Sequence, residues 1–132
     1  MIAHYTAAAL VNELQSLSHP ASVDTIPTSA NQEDHVSMGG TSALQLAAAV
    51  DAAEQVLAIE ALCAAQGLDF RAPMRPGVGV AAAHAAIRRR LPHRSGDASP
   101  SPEIDSMRAL LHAGDLLANP ATARAHERPS DG

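Results

Sequence analysis

Seven histidines, one cysteine and one run of acidic residues are the groups in this 132-residue chain that could do chemistry. His4, His19, His35, His84, His93, His112 and His126 are scattered, and no two stand three to five residues apart as zinc ligands do. Cys63 has no companion, so neither a cysteine zinc site nor an intrachain disulfide is open to it. No metal site is expected. Acid/base capacity gathers on a single irregular stretch at Asp24, Glu33, Asp34 and His35. Glu33 and Asp34 are adjacent, so in a regular element they point different ways and do not form a paired-carboxylate site. No glycine-rich phosphate loop and no GxSxG occurs. The loop Ser22–Met38 is therefore the functional candidate, weighed against an ordinary structural connector.

The elements that must position this loop are helices. Ala3, Ala7, Leu10, Leu14 and Leu17 recur at spacings of four and three, which predicts one apolar stripe on a helix from about Ile2 to Leu17. Pro20 stops it, since proline lacks an amide donor and pushes His19 out of helical geometry. From Pro20 to Gly40 the periodicity disappears, and about twenty residues without it is long for a compact domain. A helix is then predicted from about Thr41 to Phe70. At about 1.5 Å per residue it would span roughly 45 Å, whereas a globule of this chain length is only about 36 Å across. Its polar residues Asp51, Glu54, Gln55, Gln66 and Asp69 cluster on one side, and the rest is a wide apolar face. Glu60 lies on that apolar side, where a buried carboxylate paired with an arginine or a helix end is the expected role.

Residues 72–79 read as a Pro/Gly connector. A helix follows with Val80, Ala83, His84, Ile87 and Leu91 on one face, and Arg88, Arg89 and Arg90 in its last turn complement the helix dipole. Ser101 is expected to cap a final helix with Pro102 at its first position, Glu103 and Asp105 in the first turn, Ile104, Met107 and Leu111 on its apolar face and Gly114 at its end. The segment from 119 to 132 reads as a disordered tail, leaving 1–118 as one helical segment.

Composition agrees with helices and narrows the function classes. Hydrophobic residues make up 46% but aromatics only 2%, Tyr5 and Phe70, with 29 alanines supplying the difference. That mixture excludes most all-β folds and suits closely packed helices. The net charge of −5, with nine arginines and no lysine, shows no basic stripe, and base-stacking rings are scarce. A nucleic-acid module is not expected. No apolar run approaches the ~18–20 residues of a membrane span, and the first residues carry no basic-then-apolar pattern, so neither a span nor a signal segment is expected within them. A cytoplasmic setting is expected from the single cysteine.

The loop also resembles a known family. Ser22–Gly39, SVDTIPTSANQEDHVSMG, closely resembles the signature near the C-terminal end of the histidine ammonia-lyases of the aromatic amino acid lyase family. The flanks agree: MIAHYTAAALVNELQSLSHPA before it, and VLAIEALCAAQGLDFR, RPGVGVAAAHAAIRR and PEID after it. The similarity runs from Met1 to about Leu116 and covers about the last quarter of the family's usual length. NQED resembles the histidine enzymes, since the phenylalanine and tyrosine enzymes carry a differently spaced HNQD-type segment.

The resemblance implies an all-α fold of long helices from a multi-helix bundle, assembled as a homotetramer, that eliminates ammonia from L-histidine to give trans-urocanate. Glu33 then corresponds to the active-site glutamate that contacts the imidazole and amino end of the substrate. Asn31 and Gln32 are its substrate-binding neighbours, with loop-fixing hydrogen bonds the alternative role for both and for His35. The family's electrophile is a methylidene-imidazolone ring made from an internal Ala-Ser-Gly, and no such string occurs here; Ala21-Ser22-Val23, Ala98-Ser99-Pro100 and Arg94-Ser95-Gly96 are the nearest. No cofactor is expected within this chain. The chain is expected to be a C-terminal segment, from a truncated gene, an incomplete gene model or a split enzyme. Alone it is expected to be inactive, its partners being further copies or an N-terminal half. A fragment of a tyrosine or phenylalanine ammonia-lyase or aminomutase is one alternative, and a non-catalytic helical oligomerisation module is another.

Overall fold

The computed structural model describes residues Met1–Leu116, and the expected tail at 119–132 lies outside them. Among the described residues there are four α-helices, one short 3-10 turn and no strand. The helices are α1 (Ile2–Leu17), α2 (Gly39–Asp69), α3 (Val78–Arg90) and α4 (Ser101–His112), with the 3-10 turn at Ala21–Val23. No helix among them is long and apolar enough to cross a membrane. The chain divides into two compact units, Met1–Val56 and Leu57 onward, and α2 runs from one into the other.

In the first unit, α1 ends at Leu17 as the proline at 20 requires, its last turn closed by the Ser18 amide on the Leu14 carbonyl at 3.0 Å. The stripe Ala3, Ala7, Leu10, Leu14 and Leu17 is the half-buried side of α1, and no residue of the helix is fully buried. The 31 residues of α2 match the predicted long helix to within two residues at its start and one at its end. Ala52, Ala58, Ile59 and Ala65 are its buried positions, while Leu44, Leu46, Val50 and Leu57 stay 74, 65, 51 and 53% exposed. Glu60 is exposed, so the expected burial of its carboxylate does not occur. The reason is visible in its neighbours on α2: too few helices exist among the described residues to cover an apolar face this wide, and the part of that face holding Glu60 stays in solvent.

In the second unit the core among the described residues is aliphatic, with one methionine and no aromatic ring. Ala86, Ile87 and Leu91 are buried at the end of α3, and Ile104, Met107 and Leu110 along α4. Met107 at 0% and Leu110 at 2% exposure are the largest fully buried side chains, each worth roughly 1.5–3 kcal/mol of apolar burial. Two details differ from the sequence reading. Val80, expected on the buried face of α3, is half exposed, because it lies in the first turn of α3 beside the open Pro/Gly connector. Ser101 does not cap α4: Pro100 takes the N-cap position, no side chain bonds the free amides there, and Glu103 is the first-turn acid. Helix geometry starting one residue earlier places Ser101 inside the first turn.

The other end of α4 follows the sequence signal closely. Gly114 adopts φ 73°, its amide bonds the Leu111 carbonyl at 2.9 Å and the Asp115 amide bonds that of Leu110 at 3.3 Å. That pair of bonds is a Schellman closure, and the left-handed residue it requires is most cheaply a glycine.

Candidate functional site

The segment between the 3-10 turn and α2 has no regular structure and is almost wholly exposed, so local hydrogen bonds must shape it. They centre on Asp34. Its Oδ1 accepts the Thr28 amide at 2.7 Å and the Ser29 amide, and its Oδ2 accepts the Asn31 amide. The Gln32 amide adds a turn bond to the Ser29 carbonyl at 3.1 Å. Inside this ring Ala30 and Asn31 stand at φ 52° and 66°, two left-handed residues in succession. The conformation costs a non-glycine residue roughly 1–2 kcal/mol, less for asparagine, so the carboxylate bonds are what hold it. The Ser29 amide above all, then those of Asn31 and Thr28, keep the Asp34 carboxyl below its ordinary value of 3.8 against the opposing effect of partial desolvation.

The sequence-derived site residues fall into distinct roles around this ring. The backbone amides of Asn31 and Gln32 bond within the loop, to Asp34 and to the Ser29 carbonyl. Glu33 is exposed at the edge of the ring, next in the chain to the residue that closes it. A free carboxylate on a fixed backbone can accept hydrogen bonds from a ligand cation or an N–H group. Asp34, an acid/base candidate together with Asp24, Glu33 and His35, holds the turn through both of its carboxylate oxygens. Asp24 sits at the end of the 3-10 turn and His35 is exposed.

A second polar cluster, in the other unit, is absent from the sequence reading. Asp69, the last residue of α2, accepts from His84 Nε2 at 2.7 Å on one oxygen and from Arg88 at 2.7 Å and His93 Nδ1 at 2.8 Å on the other. The His93 contact foremost, then those of Arg88 and His84, holds the Asp69 carboxyl far below the usual carboxylate range although partial burial opposes it. Arg88 also donates to Gln66 Oε1 at 3.3 Å and to the Leu91 carbonyl at 2.9 Å, closing the end of α3. Gln66 Nε2 donates to the Arg94 carbonyl at 2.9 Å, and Arg94 pairs with Glu103 at 2.6 Å. His84 and Arg88 are one turn apart and so share a face, the one signal the sequence carried. Their partner Asp69 lies across the connector, where no spacing rule reaches. Arg88 thus does more than complement the dipole, and the polar strip of α2 ends pointing at protein rather than at water.

With His84 and His93, Asp69 borders a shallow cavity of about 450 Å³. Each ring has one nitrogen engaged by the carboxylate, and the set is a clasp joining α2, α3 and the segment after α3. Among the described residues no group of three or more His, Cys, Asp or Glu side chains is arranged to hold a metal ion.

Comparisons with known proteins bear on the loop directly. The family model described as aromatic amino acid lyase matches residues 1–89, which include the whole Asp34 ring and most of α3. The chain is 52% identical over 118 residues to the histidine ammonia-lyase of Symbiobacterium thermophilum, covering 89% of this chain and 23% of that protein. The crystal structure of histidine ammonia-lyase from Trypanosoma cruzi superposes with a TM-score of 0.84 at 44% identity, over 88% of this chain and 23% of that one. The tyrosine aminomutase of Streptomyces globisporus superposes at 0.77 with 30% identity, over 96% of this chain and 23% of that one. The chain therefore spans about a quarter of the length of the relatives it matches. Helices, loop and matched residues together place it as a partial segment within the aromatic amino acid lyase family.

Proposed function

We propose that this chain is the C-terminal segment of a histidine ammonia-lyase and supplies one wall of its active site. The reaction would remove ammonia from L-histidine to leave trans-urocanate, in histidine breakdown in the cytoplasm. Glu33 is the residue given the central role, orienting the substrate's imidazole and amino end, with Asn31 and Gln32 shaping the wall beside it. The single observation that carries this reading is Ser22–Gly39: an NQED-containing loop within the family match, with Glu33 exposed on a backbone closed by hydrogen bonds. Expelling an amine while a weakly acidic β-proton leaves needs a polar, preorganised surround, and a fixed carboxylate beside imidazole contributes to it.

The electrophile does not belong to these residues. None of the 132 positions opens an Ala-Ser-Gly string, so the methylidene-imidazolone group would be supplied from outside this sequence, by an N-terminal portion or another subunit. The chain alone is expected to be inactive, and a homotetramer is the expected assembly. The tyrosine or phenylalanine lyase and aminomutase alternative has support in the Streptomyces globisporus structure, but its 30% identity stands well below the 44 and 52% to the histidine enzymes.

The test is a chimera in which this chain replaces the matching stretch of the Symbiobacterium thermophilum enzyme. Turnover of L-histidine, followed by urocanate absorbance, supports the reading if Glu33→Ala then lowers kcat/KM by about 100-fold or more. Preference for L-tyrosine or L-phenylalanine would transfer the chain to the alternative. A folded chimera with no turnover of any of the three would leave the non-catalytic module.

A further inference from the structure

Glu33 can serve as a fixed carboxylate only if something fixes the backbone beneath it, and the loop offers no secondary structure for that purpose. The hydrogen bonds show where the restraint comes from. Asp34 takes the amides of Thr28 and Ser29, which precede the left-handed pair, and that of Asn31, its second member. Both of its oxygens are used, and all three donors are main-chain groups, so they set the path of the chain rather than a rotamer. Glu33 is the residue immediately before this anchor, and Gln32 is tied to Ser29 by its own amide.

We propose that Asp34 is a positioning residue for Glu33, holding the 28–34 turn in one conformation so that the neighbouring carboxylate meets substrate in one orientation. The inference rests on the histidine-lyase reading, since it assigns Asp34 a part in the reaction through Glu33. Asparagine in its place keeps one acceptor oxygen and turns the other into a donor facing an amide, so it preserves part of the ring. Alanine removes all of it. The order of effect is therefore Asp, then Asn, then Ala.

Two measurements on the same chimera decide it. In Asp34→Ala the amides of Thr28, Ser29 and Asn31 should exchange with deuterium about 10- to 100-fold faster, as expected for lost charge-assisted bonds. Asp34→Asn should fall between, and Asp24→Asn should leave these amides unchanged. Over the same series kcat/KM should fall about 100-fold for Ala and less for Asn. In a Glu33→Ala background, however, Asp34→Asn should cost nothing further, because its effect is transmitted through Glu33. A merely structural role would show the same loss in both backgrounds, and that additivity overturns the proposal. Unchanged exchange, or faster exchange with unchanged kcat/KM, overturns it as well. If Asp34→Ala does not fold, Asp34→Asn carries the same comparisons. An unsubstituted chimera that folds but turns over no L-histidine overturns the lyase reading and this role with it, while the exchange data report separately whether Asp34 closes the loop.

Discussion

Asp34 and Asp69 are both carboxylates with three donors each, yet the donors differ in kind and so do the consequences. Asp34 collects main-chain amides within seven residues, so it shapes one turn. Asp69 collects two imidazoles and a guanidinium from residues 15 to 24 positions away, so it joins separate elements. Both have their folded-state acidity shifted in the same direction, below 3.8. The sign follows: a carboxyl depressed in the folded state stabilises the fold in full above its unfolded value and loses that contribution as pH falls towards its folded value. Thermal melts should therefore show a steeper loss of stability below about pH 4 in the parent than in an Asp34→Asn, Asp69→Asn double variant. Equal slopes below that pH would count against both assignments. At Ala30 the prediction concerns strain: glycine at φ 52° removes the Cβ conflict but adds entropy to the unfolded chain. Ala30→Gly should raise stability by about 0.5 kcal/mol in urea titration, with Ala30→Val lowering it.

At the scale of elements, α4 gives the sharpest expectations. Gly114 closes it in a left-handed conformation, so Gly114→Ala should lower stability by about 1 kcal/mol. Met107 is fully buried, and Met107→Ala should cost about 2–5 kcal/mol, read as a lower denaturation midpoint at unchanged slope. The helices themselves were legible in the sequence to within a residue or two, because each carries its own start and stop: Pro20 after α1, the Pro/Gly connector before α3, Gly114 after α4. Less legible was which face each helix turns inward. Leu110 is buried where Leu111 was expected, and Val80 gave way to Ala86. Adjacent positions differ by about 100° around a helix, and a wide apolar face leaves the choice to the neighbour it meets.

For the molecule as a whole, the exposed leucines and valines of α2 are the dominant fact. Four of them stand more than half exposed on one helix, beyond what scattered surface residues usually present, and the matched relatives are about four times longer. We expect the isolated chain to self-associate, seen by light scattering after size-exclusion chromatography. Paired Leu44→Gln and Leu46→Gln substitutions should reduce the associated mass, and a monodisperse monomer without them would refute the expectation. The same surplus explains Glu60, whose exposure follows from an apolar face left without cover.

Sequence by itself determined the helices, their limits, the family and the loop that bears Glu33, because these depend on local periodicity, on proline and glycine, and on a contiguous string of residue types. Tertiary structure alone decided what the polar residues do. Asp34 closes a turn, Asp69 clasps two histidines and an arginine, and Glu60 stays in water. These outcomes depend on which donors the folded chain brings within hydrogen-bond distance, and a bond between residues 69 and 93 leaves no mark in the spacing of either.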